Sequence, residues 1–150
     1  MKARALSFVI ALIVLFAFNN AYAQNPNLRS PLTSSITQDN QLQVCYDISG
    51  LGNVSSVLIA LTYDVEVQSE CFNRGNREGS VPGQSQFFED QITTRRVPVR
   101  NGRAIGCITT TNTYPAGTCP AGFRSSAVTS VSYSNITLEV LGETFEVPNP

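Results

Sequence analysis

Asp64 and Glu66 stand two residues apart in a run of alternating apolar and polar residues. A strand would put both carboxylates on one face, about 7 Å apart. That spacing suits an inverting glycosidase, in which one carboxyl protonates the leaving oxygen and the other activates water. The same face also carries Thr62, Gln68 and Glu70, so a hydrated strand face is the plainer reading. Arg95, Arg96, Arg100 and Arg103 flank an Asn-Gly turn and form the local basic cluster. Guanidinium forks of this kind recognise the anionic groups of a polysaccharide or a phosphate surface, and they equally form solvated rims. Tyr114, in a Pro/Gly loop, is a candidate contact residue, whereas Tyr46 and Tyr63 fall on apolar faces and read as core. Glu89 and Asp90, with Asn76 and Glu78, offer oxygens to calcium but lack the regular spacing of a calcium loop, so no metal or cofactor is expected.

What the chain lacks narrows its chemistry further. Residues 1–23 read as a secretory leader: Lys2 and Arg4 open it, Ala5–Phe18 is apolar, and Ala21-Tyr22-Ala23 has the small-x-small form that signal peptidase cuts. The apolar run is shorter than the roughly 20 residues of a membrane-spanning helix. Cleavage after Ala23 removes the only lysine and the only methionine. It leaves a chain without Lys, Met, His or Trp, in which eight arginines face eleven carboxylates for a net charge of about −3. Without histidine or lysine there is no His-activated nucleophile, imidazole metal site or Schiff base. The charge balance gives no reason to expect a nucleic-acid or anionic-membrane partner.

The segments that carry these groups read as strands. Gln24–Pro31 is polar and proline-punctuated, an expected extended arm, and residues 32–150 read as one domain. Leu42, Val44, Tyr46 and Ile48 alternate with polar residues before a Gly50-Leu51-Gly52-Asn53 turn. Val57 through Val67 and Cys71 occupy odd positions, the pattern of one long half-buried strand. Phe72–Gln86 reads as a loop, Phe87–Arg95 and Arg103–Thr110 as strands, and Thr111–Gly122 as a second loop. Phe123–Tyr133 and Asn135–Leu141 are two further alternating runs, and Leu141–Thr144 is a hairpin turn into Phe145–Val147. About seven strands joined by Gly/Pro/Asn turns predict an all-β, antiparallel two-sheet sandwich of immunoglobulin-like architecture, without the Cys…Trp…Cys core of a true immunoglobulin domain. Four cysteines in an oxidising compartment predict two disulfides. Cys71 and Cys119 both stand where a strand meets a loop, and Cys45 and Cys107 both stand inside strands, which favours the pairs Cys71–Cys119 and Cys45–Cys107.

Several of these segments resemble a known pattern. Ser49-Gly50-Leu51-Gly52-Asn53, the strand into Cys71-Phe72-Asn73-Arg74-Gly75-Asn76, Pro82-Gly83-Gln84, Asn101-Gly102 and Cys119-Pro120 together are similar to those of small exported, uncharacterised all-β bacterial proteins. Phe123 stands near the place where those proteins carry a tryptophan, and Cys107 is an addition. The resemblance implies export, all-β structure and a single body, and no activity.

The expectation is therefore a secreted, periplasmic or surface-held, non-catalytic binding or structural domain, an envelope, matrix or adhesion component. Its partner would be an extracellular protein or polysaccharide, with self-association open. The alternatives are a carboxylate-based polysaccharide-active enzyme and a fibre subunit in which the arm or the Glu143–Val147 strand completes a neighbour's sheet. Asn53-Val54-Ser55 and Asn135-Ile136-Thr137 match the N-glycosylation pattern, which matters only in a eukaryote.

Overall fold

A computed structural model describes residues 24–73 and 76–150, with the side chains of residues 73, 76–80 and 124–126 left aside. The leader assigned to residues 1–23 lies outside the described residues. Among the described residues nine strands follow one another: β1 (Asn27–Leu28), β2 (Thr33–Ile36), β3 (Leu42–Ser49), β4 (Ser56–Asn73), β5 (Asn76–Pro82), β6 (Gln86–Pro98), β7 (Ala104–Thr109), β8 (Phe123–Val140) and β9 (Glu143–Glu146). They form two antiparallel sheets arranged as a sandwich. In the smaller sheet β3 is central, with β7 on one side and β1 and β2 sharing the other. In the larger sheet β4 is central, with β8 and then β9 on one side, and β6 and β5 sharing the other. Among the described residues no helix is long and apolar enough to cross a membrane.

Period-two patterning places the core between the sheets. Leu42, Val44, Tyr46 and Ile48 of β3 meet Val57, Ile59, Leu61, Tyr63, Val65 and Val67 of β4, with Leu138 and Val140 of β8 beside them. The even positions of β4 turn outward, leaving Leu58 exposed. One even residue departs from this. Asp64 is only 9% exposed, and its two carboxylate oxygens accept hydrogen bonds from the Asp90 backbone N–H at 2.9 Å and from Asn135 Nδ2 at 2.7 Å. Asp90 and Asn135 have φ of 52° and 50° and stand where the pairing register shifts in β6 and β8. Each bulge moves the inward set of its strand from one parity to the other: Phe88 gives way to Val97, and Tyr133 to Ile136 and Leu138. The hydrated reading of Asp64 is thereby corrected. Its carboxylate ties together bulges in the two strands that flank β4.

Two further expectations change. The runs Phe123–Tyr133 and Asn135–Leu141 belong to one strand, β8, because the bulge at Asn135 resets the alternation without ending the pairing. Phe72–Gln86 is not simply a loop: β4 continues to Asn73, and β5 pairs with Glu70–Asn73. An edge strand held by main-chain hydrogen bonds to one neighbour can carry glycine and proline without an apolar period, and so it leaves no alternating trace. Residues 111–122 are a loop and lie on the core-facing side of the far end of β4. There Cys119 bonds to buried Cys71, and the Gly117 N–H donates to Ser69 Oγ at 3.1 Å.

Candidate functional site

A groove with a volume of about 830 Å³ opens where the ends of several strands meet. Arg29, Ser49, Gly50, Pro98, Arg100, Arg103 and Ile105 are among its lining residues. Its floor comes from two turns whose backbones are joined. Gly50 has φ 78° and its carbonyl accepts the Asn25 N–H, while the Leu51 N–H donates to the Gly102 carbonyl at 3.1 Å. Arg100 and Arg103 close the second turn by exchanging N–H···O bonds of 2.9 and 3.0 Å around Asn101 and Gly102, both at positive φ. This Asn-Gly pair takes the conformation that a tight hairpin demands.

The charges are also fixed. Arg103 donates from Nε and Nη2 to the two carboxylate oxygens of Asp47, at 2.7 and 2.5 Å, a bidentate pair on the outer face of the smaller sheet. The hydrogen bonds from Arg103 hold the Asp47 carboxyl below its ordinary range, and the positive charge of Arg29 acts in the same direction. The Arg29 backbone N–H donates to the Asp47 carbonyl, which anchors the arm beside the pair. Three guanidiniums and one carboxylate therefore face this end of the sheet. The chain as a whole carries more acidic than basic residues, so the groove stands out electrostatically.

The depression continues along β3. A second hollow of about 530 Å³ shares Ile105 with the first and is bordered by Ser30, Pro31 and Thr33 on one side and Gly106 and Cys107 on the other. Its floor includes Asp47 and the Cys45–Cys107 disulfide, whose cysteines are direct register partners on β3 and β7. Ile105 is 65% exposed at the junction, an apolar step in a trough that begins with arginines.

The four arginines singled out in the sequence separate in space. Arg100 and Arg103 line the groove. Arg95 turns to the edge between the sheets, where Nη1 donates to the Cys107 carbonyl at 3.4 Å. Arg96 pairs in register with Leu58 on the outer face of the larger sheet and reaches Ser56 Oγ. Arg29 joins the groove instead. It sits in the proline-punctuated segment, and the pairing of Asn27–Leu28 with Ile48–Ser49, continued by the Arg29 N–H to the Asp47 carbonyl, brings it there. Nothing in its local sequence signals that position.

Tyr114 is half-buried against Phe88, with ring centroids 5.1 Å apart. Its hydroxyl donates to Tyr63 Oη, which also accepts from Asn112 Nδ2 and lies 3.4 Å from Thr93 Oγ1. Burial, reinforced by the Tyr63 contact, pushes its phenol well above the usual tyrosine range. Tyr114, Phe88, Gln91, Asn112 and Pro115 line a separate shallow recess that shares no residue with the trough. Tyr46 and Tyr63 are core residues. Among the described residues no three metal-ligating side chains converge, and the Asn76 and Glu78 side chains lie outside them.

The Asp64–Glu66 pair is placed differently from a glycosidase pair. Both Asp64 oxygens already accept hydrogen bonds, and the bond from Asn135, then that from the Asp90 N–H, hold its pKa low. A carboxyl stabilised as the anion is a poor proton donor, since a general acid needs its pKa raised toward the working pH. It acts as a structural acceptor. Because its folded pKa lies below the ordinary Asp value, it contributes stability that is present above about pH 3.8 and is lost as pH falls through the folded pKa. Asp64→Ala is expected to lower the melting temperature by several degrees at neutral pH, with the difference from wild type shrinking below about pH 3.8. Denaturant unfolding across that range measures it, and a constant difference at all pH values would contradict the role.

Comparison of the chain with protein-family models, with curated proteins and with solved structures returns no match.

Proposed function

We propose that this chain is an exported, non-catalytic domain that binds a partner at the cell exterior, as an envelope, matrix or adhesion component. The observation that carries the reading is the trough over β3, where a backbone-braced basic end passes into an apolar, disulfide-floored hollow. Binding sites of this kind combine a preformed concave surface with a few placed polar groups. The two disulfides agree with passage through an oxidising compartment, and cleavage after Ala23 belongs to the same proposal. So does the likeness to small exported bacterial proteins. An immunoglobulin-like architecture is supported by the way the chain crosses between the sheets from β3 to β4, from β6 to β7 and from β7 to β8.

The absence of His and Lys from residues 24–150, together with an Asp64 held as an anion, favours binding over catalysis. The fibre reading loses part of its basis, because Asn27–Leu28 of the arm pair within their own chain.

Expression of the full chain tests the proposal. Fractionation and intact-mass measurement should find a product beginning at Gln24, with both disulfides formed, outside the cytoplasm and retained by surface or matrix material until a high-salt wash. Cytoplasmic retention with residues 1–23 intact would count against export. An exported product that associates with no surface material would count against binding.

A further inference from the structure

The trough has a chemistry more specific than a generic binding surface, and the following rests on the binding reading above. We propose that it binds an acidic polysaccharide through its sugar carboxylates, with Arg29 and Arg100 as the ligand-binding cations and Ile105 as the platform for the sugar ring.

Arg103 is already neutralised by Asp47 in a bidentate pair, so the guanidiniums left for a ligand are those of Arg29 and Arg100, both exposed. A guanidinium fork matches the planar carboxylate in geometry as well as charge. Asn101 and Ser49 add the amide and hydroxyl groups that hydroxyl-rich ligands use. Ile105 and Pro98 present C–H surface in the same groove, suited to the apolar face of a pyranose.

Shape favours a polymer over a small anion. The basic groove and the second hollow share Ile105 and follow one strand, so a ligand fixed at the arginines is directed over Pro31 and the Cys45–Cys107 disulfide. An extended peptide fits less well. Peptides added to sheets use free main-chain edges, and β3 beneath the trough is paired on both sides.

The test uses the mature disulfide-bonded chain, with polygalacturonate as the probe, neutral dextran and dextran sulfate as comparison polymers, and calorimetry at two salt concentrations. Polygalacturonate should bind, more weakly at the higher salt, and dextran should not. Arg29→Ala/Arg100→Ala should weaken binding at least tenfold, Ile105→Ala several-fold, and Arg96→Ala, on the other sheet's outer face, should leave it unchanged. Matching far-UV spectra and melting temperatures confirm that the variants are folded. No binding of polygalacturonate, preference for dextran sulfate, or equal losses in the Arg96 and Arg29/Arg100 variants would overturn the proposal. Failure on those grounds by a chain still retained by surface material would remove the ligand class and leave the binding reading standing.

Discussion

Replacing Cys71 and Cys119 together by alanine is expected to cost about 4 kcal/mol of unfolding free energy if loop-closure entropy dominates. The bond spans a sequence separation of 48 residues, so its loss frees a large loop in the unfolded chain. The folded state loses something local as well. Residues 111–122 contain no regular structure, and they are held on the inward side of β4 by this bond and a few polar contacts. These are Gly117 N–H to Ser69 Oγ, Thr118 Oγ1 to Gln84 Oε1 at 2.9 Å, and the Tyr114 hydroxyl and Asn112 Nδ2 to Tyr63 Oη. Gly117 also lies so close to the Gln84 carbonyl that a Cβ there would stand 2.1 Å from it. Without the disulfide the loop should open before the sheets do, becoming the first site cut in limited proteolysis. Cys45→Ala/Cys107→Ala is the control, because that bond joins opposed residues of two strands already paired along their length. It should leave the 111–122 loop as protected as in wild type. A loss below about 1 kcal/mol in denaturant unfolding, or equal loop cleavage in both variants, would refute this account.

The same contrast between local pattern and distant contact governs what the sequence makes legible. β3 and β4 can be read directly, because each buries one face and alternation records that. The hairpin at Leu141-Gly142 is equally plain, and both residues take the positive φ that the turn requires. The bulges are not plain. A one-residue slip in β8 at Asn135 looks in sequence like the end of one strand and the start of another. Asp64 occupies a polar position in a perfect alternation, so its burial depends on where Asp90 and Asn135 arrive from other strands. The trough is legible only in part: Arg100 and Arg103 declare themselves beside an Asn-Gly turn, whereas Arg29 acquires its meaning from the register of a two-residue strand. Proximity in sequence grouped Arg95 and Arg96 with that turn, and the alternation of β6 separates them again.

Gly50→Ala should show how far the trough depends on that braced floor. At φ 78° an alanine pays the left-handed penalty of about 1–2 kcal/mol. Its Cβ would also lie 2.0 Å from the Asn25 carbonyl oxygen, a backbone atom that cannot move aside without shifting the arm. Overpacking of this kind adds roughly 1–3 kcal/mol, so the total loss should exceed that of Gly102→Ala. Gly102 has a similar φ of 69°, but its nearest neighbour to a new Cβ is the Gly52 carbonyl oxygen at 3.4 Å. The two variants thus separate torsional strain from displacement of the arm. Displacement moves the chain that carries Arg29 away from the turn that carries Arg100, so Gly50→Ala should also weaken polygalacturonate binding several-fold while the variant stays folded. Gly102→Ala should lose less stability and retain more binding. Equal stability of the two variants would show that the arm yields freely, and the close packing of Asn25 on Gly50 would then not be what holds the basic end of the trough in shape.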